Sequence, residues 1–158
     1  MPRDFRKVKA WQLADDLAVQ VYQTTTEAVA EGHREQGTVP FPAGRRREMG
    51  TVPNGPPHSA TATTTFPKQE THGLTQQLRR AAVSVPSDIA EGCSRHSKTE
   101  YLRFCDIARG SIAEARYQLH LARRLDYVSP TEYAPLESQA EAVTKALHGL
   151  MKPIQRET

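Results

Sequence analysis

The 158-residue chain has 37% hydrophobic and 25% charged residues and a mean hydropathy of −0.63, a composition that suits one domain of 1–158 with its apolar residues concentrated in part of the chain. No apolar run approaches the roughly 18 residues of a membrane-spanning helix, and the charged N-terminus is followed by no apolar signal region, so a cytoplasmic protein with reduced thiols at Cys93 and Cys105 is expected. A net charge of +3 and a pI near 9.0 permit an anionic partner without requiring one.

Residues 5–26 have the pattern of a first helix. Phe5, Val8, Trp11, Ala14, Leu17, Ala18 and Val21 recur at three-to-four spacing, and Asp4 suits the positive end of the helix dipole. The pattern then stops. Residues 27–65 hold five of the eleven prolines and five of the nine glycines, repeat Gly-Thr-Val-Pro at 37–40 and 50–53, and balance four Arg against four Glu. Threonine triplets, 24–26 and 63–65, flank this stretch. It reads as a low-complexity, disordered insertion inside the domain, dispensable for folding because loop-closure entropy grows slowly with length.

The second helix is expected over 67–92, on the stripe Leu74, Leu78, Ala81, Ala82, Val85 and Ile89, with Pro67 in its first turn, a kink at Pro86 and Gly92 at its end. The third is expected over 98–127. Ser97 and Glu100 form a capping box, and Tyr101, Phe104, Cys105, Ala108, Ile112, Ala115, Leu119, Ala122 and Leu125 form the stripe. Gly110 in mid-helix costs about 1 kcal/mol against alanine and suggests close helix approach. The fourth, over 130–152, starts at a second capping box, Ser129 with Glu132, and carries Leu136, Ala140, Val143, Leu147 and Leu150. With short loops at 92–97 and 126–129, the pattern predicts an all-α, antiparallel, up-down-up-down four-helix bundle.

Chemistry-bearing patterns are few. Cys93 and His96 lack a second ligand pair for zinc, no Glu precedes a His by three residues as in di-iron bundles, and no glycine loop is placed to cradle phosphate. Ser84 and Ser111 have no His and carboxylate companions placed for nucleophilic catalysis. A non-enzymatic protein without metal or cofactor is therefore expected. Arg80, Ser84, Asp88 and Glu91 on the second helix, with Arg109, Ser111 and Glu114 on the third, read as a structural polar network in which Arg80 pairs with Glu114 or Glu91. Arg79, Arg95, Lys98, Arg103, Arg116, Arg123 and Arg124 are the candidate nucleic-acid contacts. Phe5, Tyr101, Tyr117 and Tyr133 exceed what one four-helix core can hold, which predicts self-association.

The ordered run from Gly73 to Gly92, together with Glu100–Phe104, Ile107–Ser111, Ala10-Trp11 and Val21-Tyr22, resembles the four-helix bundle proteins encoded in intervening sequences of bacterial 23S rRNA genes. The resemblance covers about 5–26 and 66–152, and departs from the family at the insertion and at Asp88, where asparagine is usual. It implies a cytoplasmic homopentamer without a defined activity. It also implies kinship with the accessory variability protein of diversity-generating retroelements, and through it RNA or a reverse transcriptase as partners. A purely structural or protein-binding assembly module with no RNA affinity is the alternative.

Overall fold

The computed structural model describes residues 3–31 and 66–156. Four helices make up the fold: α1 (Lys9–Glu31), α2 (Leu74–Ser94), α3 (Lys98–Arg124) and α4 (Pro130–Arg156), with single turns of 3-10 helix at Phe5–Lys7 and Lys68–Thr71. Each helix packs on two neighbours, α1 and α3 both touching α2 and α4. No strand occurs among the described residues.

Contacts at both ends fix the direction of two of these pairs. The Arg3 amide donates to the Cys93 carbonyl (2.9 Å), and Arg79 Nε, near the start of α2, donates to Thr25 Oγ1 on α1 (2.7 Å), so α1 and α2 run oppositely. Gly92 lies against Tyr101 and Phe104, and Ser84 against Ser111, so α2 and α3 run oppositely as well. Between them the four helices bury Leu17, Val21, Leu78, Val85, Ile89, Tyr101, Ile112, Leu119, Val143 and Leu147 in one core.

The helix limits depart from the sequence reading in instructive ways. α1 continues to Glu31 rather than stopping at 26. Thr25 is buried and donates its hydroxyl back to the Val21 carbonyl (2.7 Å), which accommodates a β-branched polar residue inside the helix. The expected insertion therefore starts inside a helix, and its remainder, 32–65, lies outside the described residues. α2 starts at Leu74, not 67: Glu70 turns its carboxylate onto the Leu74 amide (2.8 Å), and a Cβ on Gly73 would overlap that carboxylate. α2 also runs through Pro86 to Ser94, so Gly92 is not its end. Its role is close approach, since a Cβ there would sit 3.0 Å from that of Phe104 and 3.3 Å from the Tyr101 ring.

α3 stops at Arg124, three residues early. Asp126 takes the left-handed conformation (φ 57°), and the amides of Asp126 and Tyr127 donate back to Arg123 and Ala122 (3.2 and 2.9 Å). This is a Schellman closure with aspartate in the position glycine usually fills. α4 runs to Arg156, past the expected 152. Its capping box is reciprocal: the Ser129 amide donates to Glu132 Oε2 (2.8 Å) and the Glu132 amide to Ser129 Oγ (3.3 Å). At α3 the Glu100 amide donates to Ser97 Oγ (3.4 Å).

Candidate functional site

The polar groups of α2 and α3 meet in a cleft of about 320 Å³ lined by Gln77, Arg80, Ala81, Ser84, Ser111 and Glu114. Ser84 Oγ donates to Asp88 Oδ2 (3.1 Å), and Ser111 Oγ lies within reach of both Ser84 Oγ (3.2 Å) and Asp88 Oδ2 (3.3 Å). The antiparallel register of the two helices makes this contact, setting residues 27 positions apart side by side. Partial burial raises the Asp88 carboxyl above its usual range, the two serine hydroxyls oppose that rise, and Glu91 adds to it.

The other members of the seven-residue network go elsewhere. Glu91 pairs with Arg95 rather than Arg80, Arg109 pairs with Asp106 (2.8 Å), and Glu114 accepts from Gln118 Nε2 (3.0 Å). Arg80 lines the cleft and forms no ion pair among the described residues.

Most of the candidate nucleic-acid contacts are held within the bundle. Arg79 donates to Thr25 and Thr26 and lies over the Tyr22 ring (4.9 Å), clasping α1 to α2. Arg95 pairs with Glu91 and covers Phe104 (4.8 Å). Arg116 joins α3 to α4 through Glu137 (3.2 Å from Nε), and Arg123 holds Asp126 beyond the end of α3 (3.0 Å). Lys98 has an interaction of its own. Arg103 and Arg124 are exposed and form no ion pair among the described residues.

Tyr101 is the largest of the fully buried side chains among the described residues. Its hydroxyl is buried beside the thiols of Cys93 and Cys105, and Arg3 lies over its ring (4.3 Å). Burial holds the phenol far above its usual pKa and pushes the Cys105 thiol up to about 11, so neither thiol is primed as a nucleophile. Both cysteines are free. Among the described residues no group of three or more His, Cys, Asp or Glu could hold a metal ion, and no helix is long and apolar enough to cross a membrane.

Of the four aromatic residues expected to overfill the core, Tyr101 is buried, Phe5 and Tyr133 are half-buried, and Tyr117 alone is exposed, at 64%. Leu125, expected in the core stripe of α3, instead caps the helix end and is exposed, and sequence reasoning passed over the other apolar residues that accompany Tyr117 on the outside: Val19, Tyr22, Val83 and Ile107. The available signal was their position off the core stripe of each helix. Gly110 is open as well, since a Cβ there would meet nothing within 4 Å, so no other helix among the described residues approaches it.

Compared with known families, residues 58–149 match the model of the 23S rRNA-intervening sequence protein. No curated protein matches the chain. The matched stretch takes in α2, α3 and most of α4, and with them the cleft.

Proposed function

The chain belongs to the 23S rRNA-intervening sequence protein family, and from that premise we propose that it works without catalysis, as a cytoplasmic bundle that assembles with copies of itself. One observation carries this reading. The core is already filled by side chains from all four helices, and six large apolar side chains among the described residues, led by Tyr117, remain on the outside. Such surface favours burial against another protein. The polar cleft supports this reading in that Ser84 and Ser111 share one aspartate and no histidine stands in its lining to complete a nucleophilic set.

Nucleic-acid association is the second reading, favoured by the net charge of +3 and by exposed Arg103 and Arg124. In an assembly these charges repeat, so weak phosphate contacts add as avidity. Filter binding of structured RNA at two salt concentrations tests it. The nucleic-acid reading predicts retention that falls steeply with salt, and a flatter slope for Arg103→Ala/Arg124→Ala. No retention at low salt with micromolar protein leaves the assembly module alone. Sedimentation of the full chain tests self-association: a multiple of 17.6 kDa is expected, and a single-chain mass overturns it.

A further inference from the structure

The cleft between α2 and α3 is a trough whose length follows from helix register. Ser84 faces Ser111 at one end. Two turns back along α2 and two turns forward along α3 bring Gln77 level with Gln118 at the other, about 10 Å away. Ala81 lies between, buried, and its small side chain leaves room above the core. Arg80 and Gln77 line the α2 wall, and Glu114 lines the α3 wall.

Two opposite charges flank this trough and do not close on each other. Neither Arg80 nor Glu114 forms an ion pair among the described residues, although both line the cleft. Glu114 is held instead by Gln118 Nε2 (3.0 Å). Gln118 is only 8% exposed, and its Oε1 finds no hydrogen-bond partner among the described residues. A buried polar atom without a partner costs free energy, and that cost has a purpose when the carboxamide fixes the Glu114 carboxylate on the wall of the cleft. The serines are fixed in the same sense. Ser84 Oγ donates to Asp88 Oδ2 (3.1 Å), and Ser111 Oγ donates to Ser84 Oγ (3.2 Å) or to Asp88 Oδ2 (3.3 Å). With their protons directed inward, the two oxygens have only lone pairs left for a ligand. The cleft therefore presents acceptors at Ser84, Ser111 and Glu114, and the guanidinium donors of Arg80.

A simple anion in this cleft would meet Glu114 and, behind the serines, Asp88. A simple amine would meet Arg80. A molecule that carries both charges complements both walls. We propose that the cleft binds a small free amino acid, its carboxylate on Arg80 and its ammonium on Glu114 and the serine oxygens. A guanidinium holds a carboxylate through two parallel hydrogen bonds, and an ammonium needs acceptors converging from several sides, which Glu114, Ser84 and Ser111 supply. A volume of about 320 Å³ lies at the low end for ligand sites and excludes large side chains. Every group comes from one chain, so the site does not depend on self-association.

Titration calorimetry of the full-length chain with L-alanine at millimolar concentration tests the proposal against two half-ligands: propanoate, which lacks the ammonium, and ethylamine, which lacks the carboxylate. L-alanine should bind saturably, one per chain, and at least about ten-fold more tightly than either half, the worth of one hydrogen bond to a charged group. Arg80→Ala and Glu114→Gln, both at exposed positions, should each weaken L-alanine binding by at least about ten-fold with helical circular dichroism unchanged. Arg103→Ala, exposed outside the cleft, should bind as wild type. The proposal is overturned if L-alanine shows no saturable binding, if a half-ligand binds as tightly as the whole, or if Arg103→Ala loses as much affinity as the two cleft variants.

Discussion

Between α2 and α3 the backbones come so close that a Cβ on Gly92 would lie 3.0 Å from that of Phe104, whereas between α1 and α4 the side chains leave a cleft of about 530 Å³, lined among others by Gln20, Gln23, Pro135 and Ser138. At its Gly92 end the first seam is closed by that glycine and the buried Tyr101, and it opens only into the smaller polar cleft beside Arg80. The second includes one hydrogen bond from Gln139 Nε2 to the Leu13 carbonyl (2.9 Å). Close packing makes every atom of the first seam count, while the second can lose a side chain and refill with water. The family match covers both helices of the tight seam and excludes α1.

Truncation is the strongest way to break the comparison. Tyr101→Ala should cost about 3–5 kcal/mol, because it empties a site 2% exposed at the end of the tight seam where α2 turns into α3. Gln139→Ala should cost about 1 kcal/mol or less, the net value of one partly exposed hydrogen bond. Urea melts of the two variants check this, and equal losses would show that the seams do not differ in the way described.

Much of this was legible in the sequence because it is local. The reciprocal box of Ser129 and Glu132 holds both its partners within four residues, and the core stripes follow from helical spacing alone. What was not legible depends on register or on unusual caps. Glu70 caps α2 from outside the helix, and Asp126 closes α3 where a glycine would have announced the turn. Arg79 reads as a surface cation until the antiparallel packing of α1 and α2 brings Thr25 and Tyr22 to it. The Ser84–Asp88–Ser111 contact was within reach of pattern reasoning, but the pairing of Arg80 with Glu114 or Glu91 was not realised, because Arg95 sits one turn from Glu91 and takes it.

A smaller effect sharpens the picture of the polar cleft. The folded-state pKa of Asp88 is raised, so its proton favours the folded chain. That contribution is complete below the unfolded value of 3.8 and is lost as pH rises through the folded value, leaving a partly buried charge at pH 7. Asp88→Asn retains an acceptor for Ser84 and Ser111 without that charge. It should stabilise the chain at pH 7 by less than about 1 kcal/mol, with the gain vanishing toward pH 4. Thermal melts of both chains at several pH values read this out, and a gain independent of pH would exclude desolvation of Asp88 as its source.

The central claim is that the chain assembles with copies of itself and covers exposed apolar side chains, Tyr117 first among them. Hydroxyl-radical footprinting of Tyr117 tests it most directly, with exposed His148 on α4 as the internal reference. In the isolated bundle Tyr117 is 64% exposed. The account predicts that Tyr117 is oxidised several-fold more slowly at a micromolar concentration where the chain is assembled than after dilution to single chains, while His148 reacts alike at both. Equal oxidation of Tyr117 at the two concentrations would contradict it.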